Sequence, residues 1–242
     1  MSQNADLSKR DVQISKALSY LLRHGALKEK LPIDTDGYVP VAVLLAHNRL
    51  KCHKCTLEDI HRIVENNDKK RFHIVQGPLS DGQPQELICA TQGHSIAEIN
   101  PSEDVLHEIT DAADLPATLI HGTSITKLLL ILQSGSIKRR GRNHVHLSPG
   151  VSGRDSQVVS GMRNSSNAHI HLKRGQQLLD QLQLFRSLNN VYLTPNDIPA
   201  SLFEKVVIRP PKNAAKAADD LHRVRDLLAN LHIPMEVSSG PQ

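Results

Sequence analysis

Tryptophan is absent from this chain of 242 residues, and the other aromatics are scarce, with three Phe and three Tyr. Stacking successive bases of a single strand needs ring platforms, so this composition argues against that mode of binding. If nucleic acid is bound, its phosphates are the main handle. Cysteine is equally sparse: Cys52, Cys55 and Cys89 are an odd number for a disulfide framework and normal for a reducing compartment. No run approaches the roughly 18 apolar residues that would argue for a membrane span. The opening MSQNADLSKR lacks the apolar core of a secretion signal. These absences predict a protein of the cytoplasm or nucleus with no membrane partner. The charge excess is small, +4 with a pI near 9.0, which favours an anionic partner without demanding one.

What is present begins with hydrophobic content of 39%, enough for one large domain or two small ones. Residues 8–25 read as a helix capped by Ser8, with Val12, Ile14, Ala17, Leu18, Leu21 and Leu22 as its apolar stripe and Gly25 as its stop. Asp34-Thr35-Asp36-Gly37 reads as a turn, Tyr38-Val39 as a short strand, and Pro40 as a first helical position before residues 41–46. A third helix follows a Thr56 cap and carries Leu57, Ile60, Ile63 and Val64 inward. Strand-like runs at 71–76 and 86–91 are joined by a Gly- and Pro-containing loop over 77–84. Three helices and a two-stranded hairpin is the order of a winged-helix module.

Residues 95–116 are acidic and irregular and read as a linker or the entry to a second domain. Beyond them, strands are expected at 119–121, 145–147, 168–172, 190–193 and 206–208. Helices are expected at 124–133, near 175–183, and at 213–231, where Leu221, Val224, Leu228 and Leu231 face inward. Short strands with few helices suggest an α+β domain on a split or mixed sheet.

Several motifs have plain readings. Cys52-His53-Lys54-Cys55 has the gap of a zinc ligand pair, but no second pair follows at finger spacing, so no metal is expected. Asp34 and Asp36 before Gly37 resemble the start of a calcium loop, yet position 45 is Leu where a bidentate Glu belongs. Arg71, after Asp68, Lys69 and Lys70, fits a solvated charge run. The more telling combination is His121-Gly122-Thr123, an imidazole, a bare backbone and a hydroxyl at a strand end leading into a helix. His144 and His146 alternate onto one strand face, while Val145 and Leu147 point to the core. Arg23, Arg71 and Arg142 would supply planar, permanently charged forks for a phosphate dianion if the fold gathered them beside His24.

Leu21-Leu22-Arg23-His24, Asp36-Gly37-Tyr38-Val39, Lys70-Arg71-Phe72, His121-Gly122-Thr123, the run Arg142-Asn143-His144-Val145-His146-Leu147-Ser148 and Asn190-Val191-Tyr192-Leu193-Thr194 occur in one order. From about residue 10 to about residue 208 the chain thereby resembles the NAD-dependent RNA (tRNA) 2′-phosphotransferases. The resemblance implies an α+β protein with an N-terminal winged-helix RNA-binding lobe over 1–98. Over 99–242 it implies an ADP-ribosyltransferase-like NAD-binding lobe with a split mixed β-sheet. It also implies a catalytic set of Arg23, His24, Arg71 and Arg142. The first three would come from one lobe and Arg142 from the other, with the site in the cleft between them.

The substrate so implied is a tRNA splice junction carrying an internal 2′-phosphate. That phosphate attacks C1″ of the nicotinamide ribose of NAD, and nicotinamide leaves. The ribose O2″ then attacks the phosphorus, giving 2′-OH RNA and ADP-ribose 1″,2″-cyclic phosphate. For NAD the resemblance points to His121 and Gly122, with Thr123, His146, Ser148 and Gly150 as further contacts. Arg163 is open between ligand contact and surface pairing, and Arg139 and Arg140 suit RNA backbone. Protein-modifying relatives of the second lobe's superfold keep a glutamate about where Val191 stands here; a phosphate nucleophile needs no such base. Two other classes remain: an ADP-ribosyltransferase that caps phosphorylated nucleic acid ends, and a noncatalytic winged-helix RNA-binding protein. The expected oligomeric state is a monomer.

Overall fold

A computed structural model describes residues 2–67, 69–78, 84–155, 158, 160–209 and 218–238. Asp68, residues 79–83 of the expected hairpin loop and residues 213–217 of the expected tail helix lie outside the described residues. The chain is a mixture of α and β, with several sheets. It divides into two units, one of residues 1–106 with Gly141–Asn143, the other of 107–140 with 144–242.

The first unit opens with α1 (Ser2–Tyr20), which passes into a π-helical turn over Leu21–Gly25. Ser8 is therefore inside the helix rather than at its cap, because nothing in residues 2–7 breaks helical backbone. Gly25 is not the left-handed stop either. That conformation falls on Lys30 (φ 55°), after Leu31 N–H has bonded back to Ala26 O. After the Asp34–Gly37 turn come β1 (Val39–Pro40), α2 (Val41–Ala46), a short α3 (Asn48–Lys51) that the sequence pattern did not announce, and α4 (Leu57–Glu65). The turn closes because Gly37 takes φ +89° and Asp34 accepts from Tyr38 N at 2.7 Å. β2 (Phe72–Pro78) and β3 (Pro84–Ala90) pair antiparallel, with β1 on the other side of β3. Ile14, Leu18, Leu21, Leu22, Leu44 and Ile60 are fully buried in one cluster, whereas Val12 of the expected stripe is 48% exposed.

α4 starts with a reciprocal capping box, Thr56 and Asp59 each bonding the other's backbone N–H. Asp59 also receives the guanidiniums of Arg10 and Arg62, and Arg62 bridges on to Asp11 at 2.7 Å, so one carboxylate ties α1 to α4. These bonds, Arg10 first, hold the Asp59 carboxyl well below the usual carboxylate range. A carboxyl depressed by folding contributes stability above its unfolded value, about 3.9, which is lost as pH falls from there toward the folded value. Asp59→Asn should therefore cost about 3 kcal/mol at neutral pH and flatten the acid limb of the stability curve, measurable by urea melts from pH 2 to 7.

The second unit carries two four-stranded sheets. One has the order β4-β9-β10-β7, from β4 (Leu106–Ile109), β7 (Val145–Leu147), β9 (Leu184–Ser187) and β10 (Tyr192–Thr194). The other is ordered β13-β12-β8-β5, from β5 (Ile120–Thr123), β8 (Ala168–Leu172), β12 (Phe203–Ile208) and β13 (Met235–Val237), with β12 and β13 parallel. A bridge between Ile120 and Ser148 links the ends of β5 and β7. α5 (Ile125–Ser134) begins at a Ser124 cap and ends on Gly135 at φ +71°. β6 (Ser136–Ile137) and β11 (Ile198–Pro199) form a small ribbon, α6 (Gln176–Leu179) is shorter than expected, and α7 (Ala218–Asn230) packs on α5. The expected linker thus holds strand β4, and β9 and β13 also escaped the sequence pattern. Among the described residues no helix is long and apolar enough to cross a membrane.

Candidate active site

Arg23 and His24 sit in the π-helical turn, whose extra residue per turn re-aims side chains that an α-helix would distribute differently. Gly25 is required there by a close approach. A Cβ at that position would lie 2.5 Å from Tyr20 Cε1, and the Tyr20 ring is itself held under the Arg49 guanidinium, 4.3 Å from its centroid. Gly25→Ala should thus displace the turn, lowering stability by about 2 kcal/mol and phosphate affinity with it, as thermal melts with and without phosphate would show.

Arg71 is pinned just before β2. Its carbonyl accepts from Thr91 N at 2.9 Å, Lys70 before it takes φ 41°, and its Nη1 reaches Asn67 Oδ1 at 3.3 Å. Arg142 arrives by a different route. Asn143 N–H donates to His94 O at 3.0 Å, and its side-chain amide donates to Ile96 O at 2.8 Å and Ile99 O at 3.1 Å. These bonds tie Gly141–Asn143 to the loop after β3, and the segment belongs with the first unit. Arg23, His24, Arg71 and Arg142 therefore all stand in one unit. This corrects the expectation that Arg142 is contributed by the other half of the chain.

The electrostatics follow from that grouping. Burial, then the nearby Arg71 and Arg142, lower Arg23 to about 10. Its Nε and Nη2 are buried with no hydrogen-bond partner among the described residues. Desolvation also lowers Arg71, while burial, Arg142 and Arg23 lower His24, which keeps that imidazole neutral at physiological pH. Arg23, His24 and Arg71 line a cavity of about 870 Å³ together with Lys16, Tyr20 and Asn67. Its one carboxylate among the described lining residues, Asp11, is engaged by Arg62. A concave surface with several cations at close range and a buried unsatisfied guanidinium is suited to a multiply charged anion.

The loop Gln92-Gly93-His94-Ser95 was missed by sequence reasoning, although a Gly-His-Ser run directly after a hairpin strand was a usable signal. Gly93, at φ +92°, lies against the Arg23 side chain. Ser95 N–H donates to Arg23 O at 2.9 Å, and Ser95 Oγ lies 2.8 Å from His24 Nδ1.

The second unit brings its own candidates together at the β5 and β7 strands. His121 Nδ1 donates to His146 O at 3.0 Å, which leaves Nε2 as the acceptor, and burial lowers its pKa. His146 Nδ1 bonds His144 O at 3.1 Å, and His144 meets the Phe185 ring edge-on. Ser148 has both backbone groups paired with Ile120, yet its Oγ is buried without a partner among the described residues. Thr123 is buried, the space beside Gly122 is taken by the flexible Met162 side chain, and Gly150 abuts the Asp155 carboxylate. The orphaned Ser148 hydroxyl and the imidazole acceptor fit a polar ligand. Val191 is fully buried against Gly161. Arg163 is exposed, and the Arg139 backbone bonds Asp197. Arg209, unremarked in the sequence, has Nε and Nη2 buried without a partner among the described residues; burial, then Arg209, lowers His169 to about 4. No cluster of three or more potential metal ligands occurs among the described residues.

Guanidiniums gathered about a neutral imidazole define a phosphate-handling α+β protein. Comparison with known proteins narrows that class. The profile of the RNA 2′-phosphotransferase, Tpt1 / KptA family matches residues 9–196, and the chain belongs to that family. It is 53% identical to a tRNA 2′-phosphotransferase of Saccharomyces cerevisiae over 237 residues, covering 98% of this chain and 99% of that protein. A tRNA 2′-phosphotransferase 1 of Homo sapiens is 39% identical over 216 residues, 87% of this chain and 81% of that one. A probable RNA 2′-phosphotransferase of Flavobacterium johnsoniae is 32% identical over 192 residues, 79% of this chain and 94% of that protein.

Proposed function

We propose that this chain is an NAD-dependent tRNA 2′-phosphotransferase, taking the internal 2′-phosphate from ligated tRNA and releasing nicotinamide and ADP-ribose 1″,2″-cyclic phosphate. The observation that carries this reading is the gathering of Arg23, Arg71 and Arg142 with His24 in one unit of a family whose relatives are named tRNA 2′-phosphotransferases. The first unit, with its helices ahead of a hairpin, serves as a winged-helix RNA-binding lobe. The second serves as an ADP-ribosyltransferase-like lobe that holds NAD through His121, Gly122, Thr123, His146, Ser148 and Gly150.

In the first step the three arginines hold the RNA 2′-phosphate in line with the glycosidic bond of NAD, by bidentate contact. The phosphate is already an anionic nucleophile and NAD carries a cationic leaving group, so no base is needed. In the second step O2″ attacks the phosphorus of the 2′-phospho-ADP-ribosylated RNA and expels the RNA 2′-oxygen. Charge then builds on the phosphoryl oxygens, where guanidiniums are worth most. His24, the titratable member of the set nearest neutrality, takes the O2″ proton and gives one to the leaving oxygen.

Incubation with an internally 2′-phosphorylated oligonucleotide tests this. The 2′-OH product and the cyclic phosphate should form only with NAD. An ADP-ribosylated RNA that goes no further would favour an end-capping transferase, and no consumption of NAD would favour a noncatalytic RNA-binding protein.

A further inference from the structure

We infer that Ser95 is a positioning residue that fixes the tautomer of His24, keeping the proton on Nδ1 so that Nε2 is the nitrogen that exchanges protons with the reactants. The inference rests on the proposed second step. Its geometry lies wholly within the first unit.

Ser95 Oγ is 2.8 Å from His24 Nδ1 and 3.5 Å from Arg23 O, the same carbonyl that accepts the Ser95 backbone N–H at 2.9 Å. A hydroxyl has one proton to donate and two lone pairs to accept with. Were that proton given to Nδ1, the neutral imidazole would carry its own proton on Nε2 and could take none from a substrate. Were Nε2 then to reach the charged state, Nδ1 would also need a proton and the serine hydroxyl would have to turn away. In the other arrangement Nδ1–H donates to Oγ, and Oγ–H points at the Arg23 carbonyl. Nothing in that chain has to move when Nε2 gains a proton. A pair fixed this way stabilises the imidazolium as it forms, without reorganisation.

Help from Ser95 matters because the charged groups acting on His24 are cations, Arg142 from the Gly141–Asn143 segment and Arg23 from its own turn. Among the described residues no carboxylate hydrogen-bonds the His24 ring, so a neutral acceptor takes that place. His24 is exposed, and its Nε2 makes no hydrogen bond among the described residues, leaving it open to the reactants. The step balances: the O2″ proton passes to Nε2 as the O2″–P bond forms, the bond from phosphorus to the RNA 2′-oxygen breaks, and Nε2 returns the proton to that oxygen.

Two measurements on the full chain decide the matter. Nitrogen-15 imidazole spectra of the unliganded wild-type protein should show His24 protonated at Nδ1 and bare at Nε2. Ser95→Ala should shift it toward the opposite tautomer, and Ser95→Thr, which keeps the hydroxyl, should not. With isolated 2′-phospho-ADP-ribosylated RNA as substrate, Ser95→Ala should slow the second step about tenfold to a hundredfold. It should also move the acid limb of that step to lower pH, since the imidazolium loses its acceptor, and should leave attack on NAD unchanged. Ser95→Thr should restore both. A wild-type His24 protonated at Nε2 would overturn the inference, as would equal slowing of both steps with an unmoved pH limb. The wild-type spectrum judges Ser95 even if a variant fails to fold. Absence of any turnover by the wild-type protein would count against the proposed function and not against the tautomer.

Discussion

Arg142→Ala protein should release one equivalent of nicotinamide from NAD and then stall, with 2′-phospho-ADP-ribosylated RNA accumulating on a gel. Arg142 is exposed on a segment held by the neighbouring Asn143, whose three bonds to His94, Ile96 and Ile99 carbonyls do not depend on the arginine side chain. Truncation should therefore remove a charge and leave the local backbone in place. In the proposed first step, attack on NAD mainly needs the phosphate held in position, which Arg23 and Arg71 would still do, so that step should slow by less than about tenfold. Transesterification concentrates charge on the phosphoryl oxygens, and loss of one donor there costs about 10²–10³ in rate. Equal slowing of the two steps would contradict this division of labour.

Arg23→Leu should raise the stability of the unliganded protein while abolishing activity. The Arg23 guanidinium makes no hydrogen bond at Nε or Nη2 among the described residues; its burial, then the nearby Arg71 and Arg142, bring its pKa down to about 10. At 1.36 kcal/mol per pKa unit, that is about 3 kcal/mol of unfavourable free energy held in the folded state. A leucine, uncharged and apolar though shorter, relieves it, so the midpoint of thermal unfolding should rise by several degrees. Both chemical steps should fall by at least about 10². The same reasoning predicts that inorganic phosphate stabilises the wild-type protein, by supplying the missing counter-charge, and stabilises Arg23→Leu far less. A variant that loses stability, or responds equally to phosphate, would show that Arg23 is a structural residue.

Features made by near neighbours were legible in the sequence. Helix α4 is announced by the Thr56 cap, and the structure adds Asp59, three residues on, to close a capping box. β7 and β8 fall on the expected residues because their apolar positions alternate with histidines. The Asp34–Gly37 turn follows from the glycine and the aspartate that build it. Where the reading failed, distant contacts were in control. Gly25 looks like a helix stop, yet its smallness serves the Tyr20 ring. β4 and β9 lack a clean apolar alternation, and these strands and β13 are defined by the neighbours that pair with them.

The candidate site divides along the same line. The family resemblance carried by motif order implied Arg23, His24, Arg71 and Arg142 as the catalytic set, and residue chemistry made a phosphate their natural ligand. Their place in a single unit, the packing of Gly93 on Arg23 and the Ser95 hydroxyl behind His24 came only from the fold. Local hydrogen bonds and side-chain periodicity act over a few residues, so the sequence determines them directly. The bonds from Asn143 to Ile96 and Ile99 span 47 and 44 positions, and from Ser95 to His24 the span is 71. Such pairs exist only after the whole unit has buried its core, which is why tertiary structure decided them.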